Sequence, residues 1–194
     1  RPIHLPFALR SHCIPTGQPV DLVVVIDASS SMTGDKLAAA KAAARTFVEL
    51  FDLPYDRLAL VPFAETARVS VPLTGNATRL RNGIDALTVA AGTRIDRALA
   101  AAAAELASPR RRAASRPVVV LLSDGSHAGD TAPVIAAADA LAAAGVTVHT
   151  IGLGPDADRA LLARLAAPGA ARYAPGPAEL EAVYRLIAGQ TRCR

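Results

Sequence analysis

The segment Val24-Val25-Ile26-Asp27-Ala28-Ser29-Ser30-Ser31-Met32 joins a run of branched apolar residues to one carboxylate and three hydroxyls without a break. A second apolar run, residues 118–122, ends in the same way, in Ser123-Asp124-Gly125-Ser126-His127. Two carboxylates and several hydroxyls brought to one point make a set of hard oxygen donors. Such a set suits Mg²⁺ or Mn²⁺, and Ca²⁺ less well. Ser29 and Ser31 are two residues apart, so extended backbone aims both hydroxyls the same way. Gly34 and Gly125 give the chain freedom to turn behind each acid. On the residues alone a second reading stays open: a serine cap and two acids that merely sit near helix N-termini.

Other chemistries find less support. A dinucleotide site wants Gly-x-Gly-x-x-Gly after the first strand, and Gly152-Leu153-Gly154-Pro155 lacks the third glycine. There is no Gly-Lys-Ser/Thr phosphate loop and no Gly-x-Ser-x-Gly nucleophile elbow. An aspartyl-phosphate enzyme could use Asp27 as nucleophile, but Ser29 stands where its general acid is needed. We therefore expect no catalytic residues. His4, His12 and His149 have no ligand spacing, whereas His127 lies close enough to Asp124 to face a ligand. Asp96 and Asp130 are candidates for outer or ligand-facing positions on the same rim.

These residues need elements to hold them. Apolar runs rich in Val and Ile cover residues 22–26, 58–63, 118–122 and 146–151, and read as strands buried on both faces. Residues 68–71 alternate and suit an edge strand. Helical stretches lie between them at 35–51, 78–87, 95–106, 132–144, 158–166 and 178–188. Strand–helix alternation predicts an α/β fold with a mostly parallel sheet. In such sheets function collects at the carboxyl ends of the strands, which is where both acids fall.

The chain has 194 residues, 52% of them hydrophobic and 4% aromatic, so the core is one of Ala, Val and Leu. Residues 19–194 are expected to form a single domain, preceded by an irregular lead-in over 1–18. No apolar run approaches the ~20 residues of a membrane span, so no direct membrane insertion is expected. Net charge is +4, carried almost wholly by arginine, as in a bacterial chain from a GC-rich genome. The one dense cluster, Arg110-Arg111-Arg112 with Arg116, lacks interleaved aromatics and reads as a solvated loop rather than a nucleic-acid surface. The start at Arg1 and the lack of a signal-peptide pattern suggest part of a larger chain or a processed one.

Asp27-Ala28-Ser29-Ser30-Ser31 resembles the Asp-x-Ser-x-Ser signature of von Willebrand factor type A domains. Gly92-Thr93, ahead of Ile95-Asp96-Arg97-Ala98-Leu99, and Ser123-Asp124-Gly125 match that family's further motifs in order and spacing. The resemblance implies a doubly wound sheet with one short antiparallel edge strand and helices on both faces. It implies a metal-ion-dependent adhesion site in which Asp27, Ser29, Ser31, Thr93 and Asp124 hold Mg²⁺ or Mn²⁺. A protein ligand would add a Glu or Asp carboxylate, with Ser30, Met32, Ser126 and His127 facing it. Intracellular members that assist chaperone-like ATPases, and structural modules of a pilus or surface stalk, are the alternatives.

Cys13 and Cys193 are the two cysteines and lie at opposite edges of the domain. Some extracellular members of the family close the domain with such a bridge. By that likeness a Cys13–Cys193 disulfide and an extracellular or cell-surface location are expected. Two free thiols in a cytoplasmic protein are the alternative.

Overall fold

Branched side chains crowd a helix but pack well on a pleated surface, and the four Val/Ile-rich runs all become strands. The computed structural model describes residues 17–53 and 55–192. Cys13 and Cys193, and with them the expected bridge, lie outside these, as do His4 and His12. The strands are β1 (Val20–Asp27), β2 (Arg57–Phe63), β3 (Val71–Thr74), β4 (Arg116–Ser123), β5 (Thr147–Leu153) and β6 (Ala171–Ala174). The helices are α1 (Asp35–Glu49), α2 (Ala77–Asp85), α3 (Ile95–Leu106), α4 (Ala132–Ala143), α5 (Arg159–Leu165) and α6 (Leu180–Arg192).

The sheet order is β3-β2-β1-β4-β5-β6. All neighbours are parallel except the edge pair β2–β3, which is antiparallel. This is the expected doubly wound α/β architecture. Alternation along β1 feeds two cores. Leu22, Val24 and Ile26 pack under α1, α2 and α6, together with Phe47, Leu80 and Tyr184. Val23 and Val25 pack under α3, α4 and α5, together with Leu99, Val134 and Leu162. Each such side chain, fully buried, stabilises the fold by about 1.5–3 kcal/mol before entropy is counted. A strand stapled on both faces is a rigid mount for whatever stands at its end.

Two strands differ from expectation. The edge strand occupies Val71–Thr74 rather than 68–71, and it runs through Pro72. Proline is tolerated on an edge because no ladder bond is asked of its missing N–H. Ahead of it, Ser70 bonds Leu60 O through both its amide and its hydroxyl, where the ladder register slips. β6 has no counterpart in the sequence reading, because Ala-Arg-Tyr-Ala carries no branched apolar pattern.

The arginine cluster is not a loose solvated loop. Arg112 clamps the buried Asp21 at the start of β1, and Arg110 pairs with the buried Glu105 of α3. Its charges tie the ends of β1 and α3 together, opposite the Asp27 end of the sheet. No described helix is long and apolar enough to cross a membrane.

Candidate metal centre

The chain leaves the two central strands toward opposite sides of the sheet: β2 lies on one side of β1, and β4 and β5 on the other. The carboxyl ends of β1 and β4 therefore border the crevice where the winding reverses, the usual ligand position in such sheets. Asp27 is the last residue of β1, and Asp124 follows the last residue of β4. Both are fully buried.

Each oxygen of Asp27 is held. The Ser29 amide donates to Oδ1 at 2.8 Å and the Ser123 hydroxyl to Oδ2 at 2.6 Å. The first contact folds the chain over the strand tip and sets Ser29 beside the acid, as Asx turns do. A short 3₁₀ turn, Ser30–Met32, follows, and Gly34 at φ 79° leads into α1. That conformation is costly for any residue with a Cβ.

Ser31 Oγ donates to Asp124 Oδ1 at 2.7 Å, and the Ser29 and Ser31 hydroxyl oxygens are 2.9 Å apart. A carboxylate only accepts, so the single proton of Ser31 goes to Asp124 and Ser29 must donate to Ser31. The second oxygen of Asp124 accepts from Lys36 Nζ at 2.6 Å. The result is a chain Ser29–Ser31–Asp124–Lys36 beside Asp27. Ser29 is buried and Ser31 exposed.

Thr93 sits in the loop before α3. The Arg94 amide donates to Ala64 O and the Ala128 amide to Thr93 O, so both neighbouring loops fix it. Ser29 and Ala90 form an isolated bridge that ties this loop to the serine segment. Gly92 is required twice over. Its φ is 88°, and a Cβ there would lie 2.8 Å from the Cα of Glu65. The Thr93 hydroxyl has no hydrogen bond to a described residue, and its side chain is half-buried.

Burial pushes the Asp27 carboxyl above its ordinary range, and the Asp124 charge adds to this. Hydrogen bonds from Ser123 and Ser29 work the other way. A buried acid raised by desolvation and by a second acid is a place that favours a cation. The donors fit a small hard one. Cis oxygens on an octahedral ion with bonds of about 2.0–2.1 Å lie about 2.9 Å apart. The Ser29–Ser31 spacing serves such an ion as well as it serves a hydrogen bond. Among the described residues no three His, Cys, Asp or Glu side chains converge, so what is on offer is an oxygen site of two acids and hydroxyls.

Of the residues expected to face a ligand, Ser30 and Ser126 are exposed. Met32 is not: it is fully buried in the α1 core, because the 3₁₀ turn points it inward. His127 is also buried. Its Nδ1 accepts from the Ile95 amide at 3.2 Å, which caps α3 in place of a side-chain hydroxyl. Asp96 is engaged by Arg94 at 2.6 Å, and the hydrogen bond from that guanidinium holds its carboxyl below the ordinary range. Asp130 Oδ1 accepts from the Ala132 amide at the start of α4. Two participants were not picked out from the sequence, Ser123 and Lys36. Ser123 could have been found as the hydroxyl directly before an acid at a strand end. For Lys36, being one of only two lysines in an arginine-rich chain was the available signal.

Comparison with known proteins gives a consistent picture. Residues 21–183 match the von Willebrand factor type A domain family. An uncharacterized protein of Synechocystis sp. is 28% identical over 174 residues, which is 87% of this chain and 41% of that one. The solved von Willebrand factor domain of the type V pili tip protein Mfa5 from Porphyromonas gingivalis superposes with TM-score 0.79 at 21% identity, covering 89% of this chain and 95% of that one. Proximal thread matrix protein 1 from the mussel byssus, solved with a zinc-occupied metal-ion-dependent adhesion site motif, gives TM-score 0.78 at 24% identity. That match covers 91% of this chain and 48% of the mussel chain. The chain thus spans less than half the length of the curated relative and about half of the mussel protein.

Proposed function

The chain belongs to the von Willebrand factor type A family, and on that premise we propose that it captures a protein ligand through a divalent cation, as a metal-ion-dependent adhesion site does. The observation that carries this reading is the run of contacts Ser29–Ser31–Asp124 beside the buried Asp27, at the switch point of the sheet. Ser29, Ser31 and Thr93 would hold the ion through neutral oxygens, and Asp27 and Asp124 directly or through water. Mg²⁺ or Mn²⁺ suits this compact donor set better than Ca²⁺, which takes more oxygens at longer range. Bound there, the ion would offer a Glu or Asp side chain of the ligand an electrophilic position, because few of its donors are charged.

The rest of the chain has supporting tasks in this reading. Ser123 and the Ser29 amide orient Asp27. Gly92 shapes the loop that carries Thr93. Ser30 and Ser126 are left to meet the ligand. The module binds rather than catalyses, since Ser29 stands where a phosphate-transfer enzyme would need an acid. Residues 19–194 would form one domain within a larger, surface-exposed protein. A structural role in a surface appendage is the second reading. The likeness to a pilus tip protein and a byssal thread protein favours it, and it uses the same site.

Calorimetric titration with Mn²⁺ tests the assignment. Asp27→Asn keeps an acceptor for the Ser29 amide and offers an amide donor to the Ser123 oxygen, so the fold should survive. Wild type should bind one ion per chain, and the variant should bind it at least about 10- to 100-fold more weakly. Equal affinity in the two proteins would remove the site from this chain.

A further inference from the structure

Two acids, Asp27 and Asp124, face the crevice, and the one cationic side chain that contacts them among the described residues belongs to this chain. Lys36, in the first turn of α1, reaches across to Asp124 with Nζ 2.6 Å from Oδ2. The pair is asymmetric: the Lys36 side chain is 27% exposed and that of Asp124 is 0% exposed. The lysine stem crosses the end of β5, where a Cβ on Gly154 would stand 3.9 Å from Lys36 Cε. Its ammonium thus arrives from the solvent side, along a flexible stem, and ends on a buried carboxylate.

We infer that Lys36 is a tethered counter-cation that competes with the divalent ion for Asp124 and so sets the ion concentration at which the site fills. The inference rests on the reading of the site given above. Without an ion, two desolvated acids a short distance apart repel, and burial penalises both charges. The ammonium offsets part of that cost and holds Asp124 in place. When a divalent ion takes up Asp124, the ammonium becomes a like charge a few ångströms away. The lysine can then swing outward, because its head is already partly solvated and its stem has free rotamers. Filling the site therefore exchanges one ion pair for another, and the protein binds its cation more weakly than the same donors would alone. A purely structural ion pair predicts something different: its loss would lower stability equally with and without the ion, and would leave ion affinity unchanged.

The test is a set of Mn²⁺ titrations on wild type, Lys36→Met, Lys36→Arg and Asp27→Asn, with thermal midpoints taken in chelator and in saturating Mn²⁺. Lys36→Met keeps the stem and removes the charge. It should bind Mn²⁺ about tenfold or more tightly than wild type, since a unit charge no longer opposes a double one at close range. Its midpoint should fall in chelator and match wild type in Mn²⁺. Lys36→Arg should bind as wild type does. If wild type and Lys36→Met bind alike, or Lys36→Met binds more weakly, while Asp27→Asn has lost the ion, the inference is overturned and the site stands. If no protein binds, or Asp27→Asn binds like wild type, the site itself is wrong and the inference falls with it. A measurement without substitution keeps the test alive should Lys36→Met fail to fold. Lys36 and Lys41 are the only lysines, so reductive ¹³C-dimethylation, which preserves charge, gives two lysine signals. Mg²⁺ should move the Lys36 signal toward that of a solvated lysine and leave Lys41 in place. A Lys36 signal unmoved at saturating Mg²⁺ would overturn the inference.

Discussion

Asp27 is a carboxylate at the tip of a strand buried on both faces, where water cannot solvate it. Its charge is tolerable because Ser29 and Ser123 donate to it, and a cation would make it favourable. The place of the acid was legible in the sequence, since an apolar run that ends in Asp-x-Ser-x-Ser cannot place its acid far from the strand end; the Ser123 donor was not. What could not be read was which neighbours turn inward. Met32 and His127 lie next to the site in sequence but are buried, because a 3₁₀ turn and a helix cap decide their direction rather than alternation. Glu105 is another buried acid, held by electrostatics. Burial works against its charge, but hydrogen bonds from Arg110 and from the Leu73 amide outweigh it and hold the carboxyl below its ordinary range. An acid lowered on folding contributes stability that is present above its unfolded value, near pH 4.5, and is lost as pH falls through the folded one. Glu105→Gln should therefore flatten the acid limb of a stability-versus-pH curve and leave its neutral limb parallel to wild type. Glu105→Ala, which strands the Leu73 amide, should cost about 1–3 kcal/mol by denaturant unfolding at pH 7. A wild-type acid limb retained in Glu105→Gln would refute this account.

The elements were read best where pattern and burial coincide. α3 begins and ends at the residues expected, 95 and 106, because its apolar stripe Ile95, Ala98, Leu99, Ala102 and Leu106 is the packed face. The edges were read worst. β3 begins after Ser70 and runs through Pro72, later than expected, and β6, with one partner strand and no branched residues, left no signal. Between α1 and α6 the packing carries a flaw that sequence alone does not reveal. Tyr184 is fully buried, its ring centroid 4.9 Å from that of Phe47, and its hydroxyl has no hydrogen-bond partner among the described residues. Burial pushes the phenol far above its ordinary range. An orphaned hydroxyl forfeits its hydration and gains nothing in return. Tyr184→Phe should therefore be neutral or stabilising, by up to about 1 kcal/mol, read as a rise in the thermal midpoint. A clear loss of stability would mean that the hydroxyl has a partner.

At the scale of the molecule, the two ends of the described chain meet away from the candidate metal centre. The Arg116 amide donates to Pro19 O, ahead of β1, at 2.9 Å, and its guanidinium donates to Thr191 O near the end of α6. In sequence, Cys13 lies six residues before Pro19 and Cys193 two residues after Thr191. We expect them to pair, closing the domain with up to about 5 kcal/mol in the chain-entropy model, and the protein to be exported. Alkylation before reduction, read by intact mass, should add nothing, and after reduction should add two labels. Two labels without reductant, in protein made under oxidising conditions, would remove both the bridge and the argument for export. The doubly wound order itself was legible, because strand–helix alternation admits few topologies. From that order follows the convergence of Asp27 and Asp124 at the switch point. Anomalous diffraction from crystals grown with Mn²⁺ tests that convergence most directly. One strong peak is expected roughly 2.1 Å from the Ser29 and Ser31 hydroxyl oxygens, with Thr93, Asp27 and Asp124 around it. No peak at that position, at an Mn²⁺ concentration that saturates in solution, would contradict it.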